Sequence, residues 1–148
     1  MKTLTKLFPA TAIAGLLATT AHAGSLHNTK WQTVDEKTGE KKAVIAMTES
    51  GGVVSGKIYS VANPAHAKAV CTPCKGALKN KPVIGLPILS GLKANGNNEW
   101  TDGKLVDPET GKTYSGKVNL SSDGQTLKLR GYVGSPVFGR TQVWKRVN

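Results

Sequence analysis

Between Trp100 and Trp144 the chain alternates apolar and polar residues in short runs, and glycine-bearing turns separate the runs. Tyr114, Gly116, Val118 and Leu120 fall on one face of such a run, with Thr113, Ser115, Lys117 and Asn119 on the other. The next run sets Leu127, Leu129 and Val133 against Lys128, Arg130 and Tyr132. A period of two marks strands with one face in a core and one in water; a helix would repeat every 3.6 residues. The joins are Asp35-Glu-Lys-Thr-Gly39, Glu49-Ser-Gly-Gly52, Asn95-Gly-Asn-Asn98, Asp107-Pro-Glu-Thr-Gly111 and Ser121-Ser-Asp-Gly124. Their Gly, Asn and Asp residues supply the positive φ that hairpin turns need. Strands of this length at this spacing indicate an all-β antiparallel sandwich or barrel.

Eight segments read as extended: 30–34, 42–48, 53–61, 83–92, 99–106, 113–120, 125–133 and 139–147. The last is the least regular, because Trp144 shares a face with Arg140, Gln142 and Arg146 while Val143 and Val147 lie on the other. Pattern alone leaves its inner face open. Residues 62–82 break the strand rhythm. Asn63 before Pro64 reads as a helix cap and first helical residue, and Ala65-His-Ala-Lys-Ala69 predicts a short helix ending near Cys71-Thr-Pro-Cys74. Structured insertions of this length in small domains are often functional, which directs attention to it.

The first 23 residues have the parts of a secretory signal: Lys2 and Lys6, an apolar run over 7–18, and the small-x-small site Ala21-His-Ala23. Cleavage after Ala23 leaves one domain, 24–148, destined for the periplasm or the extracellular space. The apolar run is interrupted by Pro9 and falls short of the roughly 20 residues that span a bilayer. No cysteine follows the cleavage site to carry a lipid. Removing Lys2 and Lys6 from the 20 basic residues leaves 18 against nine acidic ones, a net charge of +9. The lysines are scattered, with no basic helix and no aromatic stacking motif between them, which argues against nucleic acid as the partner. An anionic envelope surface is the partner that this charge would suit.

Catalytic constellations are missing from the pattern. There is no Gly-x-Ser-x-Gly elbow, and Asp35, Glu36, Asp107 and Glu109 sit in turns where turn formation accounts for them. Asn119-Leu-Ser121 matches a glycosylation acceptor by chance within a strand. Cys71 and Cys74 are the one chemically loaded pair. In an exported protein they read most simply as a disulfide closing a tiny loop. A redox dithiol is the alternative, with Lys68 and Lys75 favouring a thiolate, but no thioredoxin-type pattern surrounds it. Zinc would need His66 and His27 at no recognised spacing, so neither a metal nor a cofactor is expected.

Several residues in order also resemble a known family. Trp31 with Asp35 and Gly39, Lys81-Pro-Val-Ile-Gly-Leu86 with Ile88-Leu89, Trp100 with Gly103, Asp107-Pro108 with Gly111-Lys-Thr-Tyr114, and Leu129-Arg-Gly-Tyr132 with Gly139-Arg140 and Trp144 resemble the exported bacterial domain of unknown function 2147. The resemblance covers nearly the whole of 24–148. It implies a closed barrel of the calycin, lipocalin-like type: eight up-and-down strands around a cup for a small apolar or amphipathic ligand. Lipocalins begin with Gly-x-Trp, whose indole packs under an arginine near the end of the last strand. Here Thr29-Lys30 precede Trp31, without the glycine, and Arg140 or Arg146 is the arginine available.

The expected function is therefore binding of a small hydrophobic or amphipathic molecule, with docking on anionic lipids or partner proteins as the rival and Cys-pair redox chemistry third. The interior face offers Tyr114, Val118, Leu127 and Leu129 as ligand contacts, Leu86 and Ile88 as an apolar mouth, and Trp100 as an aromatic wall.

Overall fold

The structure, a computed structural model, describes residues 24–148 together with Pro9 and residues 13–15. Apart from those four, the expected signal peptide lies outside the described residues. Eight strands form one closed antiparallel barrel in sequence order: β1 (Thr29–Val34), β2 (Lys41–Ser50), β3 (Val53–Val61), β4 (Pro87–Ala94), β5 (Glu99–Val106), β6 (Thr113–Leu120), β7 (Thr126–Tyr132) and β8 (Arg140–Arg146). Closure is by β1 against β8, with Trp31 opposite Arg146 and Gln32 opposite Lys145. Each expected strand is present, which follows from turn chemistry placed at nearly every join. Gly51 and Gly52, at φ 58° and 77°, make the two-residue turn between β2 and β3 that no residue with a Cβ would adopt readily.

Two local expectations are corrected. The fourth strand begins at Pro87 and not at residue 83, because Gly85 at φ 92° breaks the extended run. Gly85 N–H donates to the Ile58 carbonyl at 2.7 Å and Ile58 N–H to the Leu86 carbonyl at 3.0 Å, so these residues turn against β3 before the strand starts. The short helix expected after Asn63 shrinks to a single 3-10 turn, Pro64–His66. Asn63 does cap it, accepting from Ala65 N–H at 3.0 Å. The turn buries no residue, so nothing in the tertiary structure extends it. A second 3-10 turn, Gly76–Leu78, follows the cysteines, and residues 62–86 as a whole form a strap over one side of the barrel.

The two ends of the barrel differ. At one end run the short β2–β3, β4–β5 and β6–β7 turns and the N-terminal segment. Leu26, fully buried, plugs this end. Thr29 Oγ1 beside it donates to the Leu26 carbonyl at 2.7 Å and accepts from Trp31 Nε1 at 2.8 Å, so no polar atom is left stranded. Trp31 is fully buried, and the Arg146 guanidinium lies 6.0 Å from its ring centroid. Of the two candidate arginines, Arg146 takes the stacking position, because β1–β8 register sets it directly opposite Trp31. Arg140 lies at the other end.

Between the ends, glycines make room inside the barrel for large side chains of the neighbouring strand. A Cβ at Gly103 would come within 2.5 Å of the Leu92 side chain, and one at Gly56 within 2.7 Å of the Met47 sulfur. The half of the barrel nearest Leu26 is consequently solid, filled by Trp31, Met47, Val54, Leu92, Trp100, Val118, Leu120 and Leu127.

Candidate ligand-binding cavity

The other end is open. The β1–β2, β5–β6 and β7–β8 connections and the strap surround it, and a cavity of about 1120 Å³ enters the barrel between them. Its size is slightly above the roughly 300–1,000 Å³ that small-molecule sites occupy. The floor is apolar: Ile45, Ile58, Ile88, Leu105, Leu129 and the ring of Trp144. This is the level at which the solid half of the barrel ends.

One wall is polar, and the last strand supplies it. In the β7–β8 ladder Trp144 pairs with Leu127, Gln142 with Leu129 and Arg140 with Gly131. Since Leu127 and Leu129 point inward, so do Trp144, Gln142 and Arg140. Val143, on the opposite face, is 42% exposed. The polar face of β8 is thus the inner one, which its residue pattern left open. Gln142 Oε1 accepts from Trp144 Nε1 at 3.1 Å, leaving the amide nitrogen of Gln142 to offer N–H groups to the cavity. Thr33 and Tyr114 add two hydroxyl-bearing side chains.

The rim is charged. Arg140 at the start of β8 pairs with Glu36 of the β1–β2 connection, and Lys42 of β2 with Glu109 of the β5–β6 connection. The Glu36 carboxylate, by hydrogen bond and then by charge, raises the pKa of Arg140 above the ordinary guanidinium value, so that group is a permanent cation. Asp35 shapes its own turn by accepting from the N–H groups of Thr38 and Lys37, both at 2.9 Å, and these bonds lower its pKa.

The disulfide fixes the strap. Cys71 and Cys74 are joined and only 1% and 2% exposed. They are wedged against the β5–β6 turn, where Cys71 Sγ lies 3.5 Å from the Pro108 carbonyl oxygen. A Cβ at Gly111, φ 73°, would sit 1.9 Å from the Pro73 carbonyl oxygen, so only glycine permits this approach. Burial denies both sulfurs the access that thiol exchange requires. Among the described residues no three His, Cys, Asp or Glu side chains converge as a metal site would need, and no helix is long and apolar enough to cross a membrane.

Of the seven residues expected at the ligand, Ile88, Tyr114 and Leu129 line the cavity. Leu86, Trp100, Val118 and Leu127 do not; they are buried in the core with at most 6% exposure. Trp100, Val118 and Leu127 are inward-facing as expected but lie near the plugged ends of their strands, and period-two alternation carries no information on depth. Gln142, Arg140, Trp144 and Thr33 went unassigned. For the three on β8 the signal is its mixed polar face, legible only once register chooses that face as the inner one; Thr33 lies on β1.

The fold matches a solved structure, protein HP1028 from the human pathogen Helicobacter pylori, described as belonging to the lipocalin family, with a TM-score of 0.73, 25% identity and 84% of each chain covered. No curated protein matches the sequence. Residues 29–146 match the family model described as an uncharacterized protein conserved in bacteria, DUF2147. With its eight-stranded lipocalin-like barrel and a match that runs from β1 to the end of β8, the chain belongs to the DUF2147 family.

Proposed function

We propose that this protein is an exported carrier that holds one small hydrophobic or amphipathic molecule in the open half of its barrel. The observation that carries the reading is the division of the interior: a solid lower half, then a cavity of about 1120 Å³ with an apolar floor and a polar wall of Gln142, Arg140, Thr33 and Tyr114. An apolar tail would rest on Ile45, Ile88, Leu129 and Trp144, while a polar head would meet the N–H groups of Gln142 and the Arg140 guanidinium nearer the mouth. Burying the tail supplies affinity, and the polar wall sets orientation. Export rests on the secretory pattern of residues 1–23 and accords with the paired cysteines.

Titration with a fluorescent fatty acid tests the carrier. Gly131 lines the cavity, and a Cβ there would meet nothing closer than 3.4 Å, so Gly131→Leu projects a side chain into the binding space without disturbing the backbone. Saturable binding by the native protein, weakened by roughly tenfold or more in Gly131→Leu, is the expected result. Absence of saturable binding across a series of apolar probes would overturn it.

A further inference from the structure

The rim of the cavity presents apolar side chains to water. The β7–β8 connection ends in a 3-10 turn, Pro136–Phe138, with Val137 and Phe138 78% and 82% exposed, and Val133 in the same loop is 69% exposed. This is a held conformation. Ser135 Oγ accepts from Val137 N–H at 3.4 Å, and the Arg130 guanidinium donates to the carbonyls of Pro136 at 2.6 Å and Val137 at 3.3 Å and to Thr141 Oγ1 at 2.9 Å. One arginine thus fixes the backbone of a tip whose two large apolar side chains touch little of the protein.

The strap stands on the opposite side of the mouth, since β3 and β4 lie four places from β7 and β8 around the ring. Residues 62–86 contain Lys68, Lys75, Lys79 and Lys81, all exposed, and no Asp or Glu. Val70 and Ile84, 44% and 39% exposed, lie on the same strap. The carboxylates of this end belong to the other connections, where Glu36 and Glu109 are neutralised by Arg140 and Lys42, and Asp35 and Asp107 accept turn hydrogen bonds; Glu40 completes the set. The strap is therefore a cationic surface and the tip facing it an apolar one.

We infer that the open end docks on an anionic bilayer surface, the strap lysines meeting the head groups and Val137 and Phe138 entering the interface. Two large apolar side chains give weak insertion, and a small cluster of lysines gives weak attraction; together they give reversible attachment. The mouth lies between the two contacts and would face the lipid from which an amphiphile enters. This docking stands apart from the carrier reading, because nothing in it requires a loaded cavity.

Flotation with phosphatidylcholine vesicles, with and without phosphatidylglycerol, tests the docking. The native protein is expected to float only with phosphatidylglycerol present, and less as salt rises. Lys68→Glu with Lys79→Glu should weaken binding by roughly fivefold or more for each lysine reversed. Val137→Ser with Phe138→Ser should abolish it, circular dichroism confirming that each variant is folded. Since Trp31, Trp100 and Trp144 are at most 6% exposed, Phe138→Trp adds the one solvent-facing tryptophan among the described residues, and its emission should move to the blue on vesicle binding. No flotation with phosphatidylglycerol, or flotation indifferent to the serine pair, would overturn the inference. A concentration-dependent dimer that the serine pair dissolves would also overturn it, making the tip a contact between copies. A fatty-acid titration without vesicles reports on the cavity alone, so failure of docking and failure of the carrier are separately visible.

Discussion

Trp144 Nε1–H donates to Gln142 Oε1 at 3.1 Å, so an aromatic ring of the cavity floor orients the amide of the wall above it. Trp144 is the one tryptophan that lines the cavity; Trp31 and Trp100 are buried away from it. Intrinsic fluorescence should therefore change when an amphiphile binds. The change should vanish in Trp144→Phe and persist in Trp100→Phe, a comparison that also shows whether the ligand reaches the floor.

Core and cavity residues should separate by phenotype. Leu127 is fully buried and Leu86 1% exposed, both off the cavity, so truncating either to Ala should cost about 2–5 kcal/mol in urea unfolding. Their effect on probe affinity should be slight in the protein that remains folded. Ile88→Ala and Leu129→Ala, at the cavity floor, should alter affinity as well as stability.

The cysteines should be oxidised and mainly positional. Alkylation without reductant should leave the mass of residues 24–148 unchanged. Cys71→Ser with Cys74→Ser should keep the barrel folded and cost about 2 kcal/mol, since the loop closed is very short. Gly111→Ala should loosen the same junction through positive φ and the collision with Pro73, at about 1–3 kcal/mol, and should raise amide exchange in the strap while the strands stay protected.

Three carboxylates, Asp35 and Asp123 in turns and Glu99 at the start of β5, anticipate acid sensitivity. Hydrogen bonds lower the pKa of Asp35 through the N–H groups of Thr38 and Lys37, of Glu99 through the amides of Asn119 and Asn95, and of Asp123 through the hydroxyl of Ser121 and the N–H of Gln125. A carboxylate whose folded pKa is depressed adds stability above its unfolded pKa and loses it as pH falls through the folded one. The urea midpoint should be flat from about pH 7 to about pH 5 and fall below about pH 4. Asp35→Asn with Asp123→Asn should be less stable at neutral pH and show a shallower acid decline.

The strand pattern around Tyr114 to Leu129 was legible because alternation and turn residues are local properties: Gly51-Gly52 and Asp107 to Gly111 bend the chain whatever surrounds them. Gly85 was less so. It sits in an apolar run, and only its hydrogen bond to Ile58 in β3 shows that the chain turns there. The helix after Asn63 failed for a related reason, since a cap and alanines favour a helix that no buried face then supports.

By itself, then, the sequence determined eight antiparallel strands, their order along the chain and their turns, the pairing of two nearby cysteines and the inward set of β6 and of β7 as far as Leu129, all of which depend on spacing within a few residues; Val133, read on the same face as Leu129, lies beyond β7 and is 69% exposed. Tertiary structure alone decided how far along the barrel each inward residue sits. Strand register placed Arg146 over Trp31 and Arg140 at the rim, although both arginines share one face of β8. Leu129 is at the cavity floor and Leu127, two residues away on the same face, is in the solid core. Depth arises from strand register, which sets Leu92 of β4 beside Gly103 of β5 in the solid half, and from the closing of β1 on β8, which sets Arg146 over Trp31.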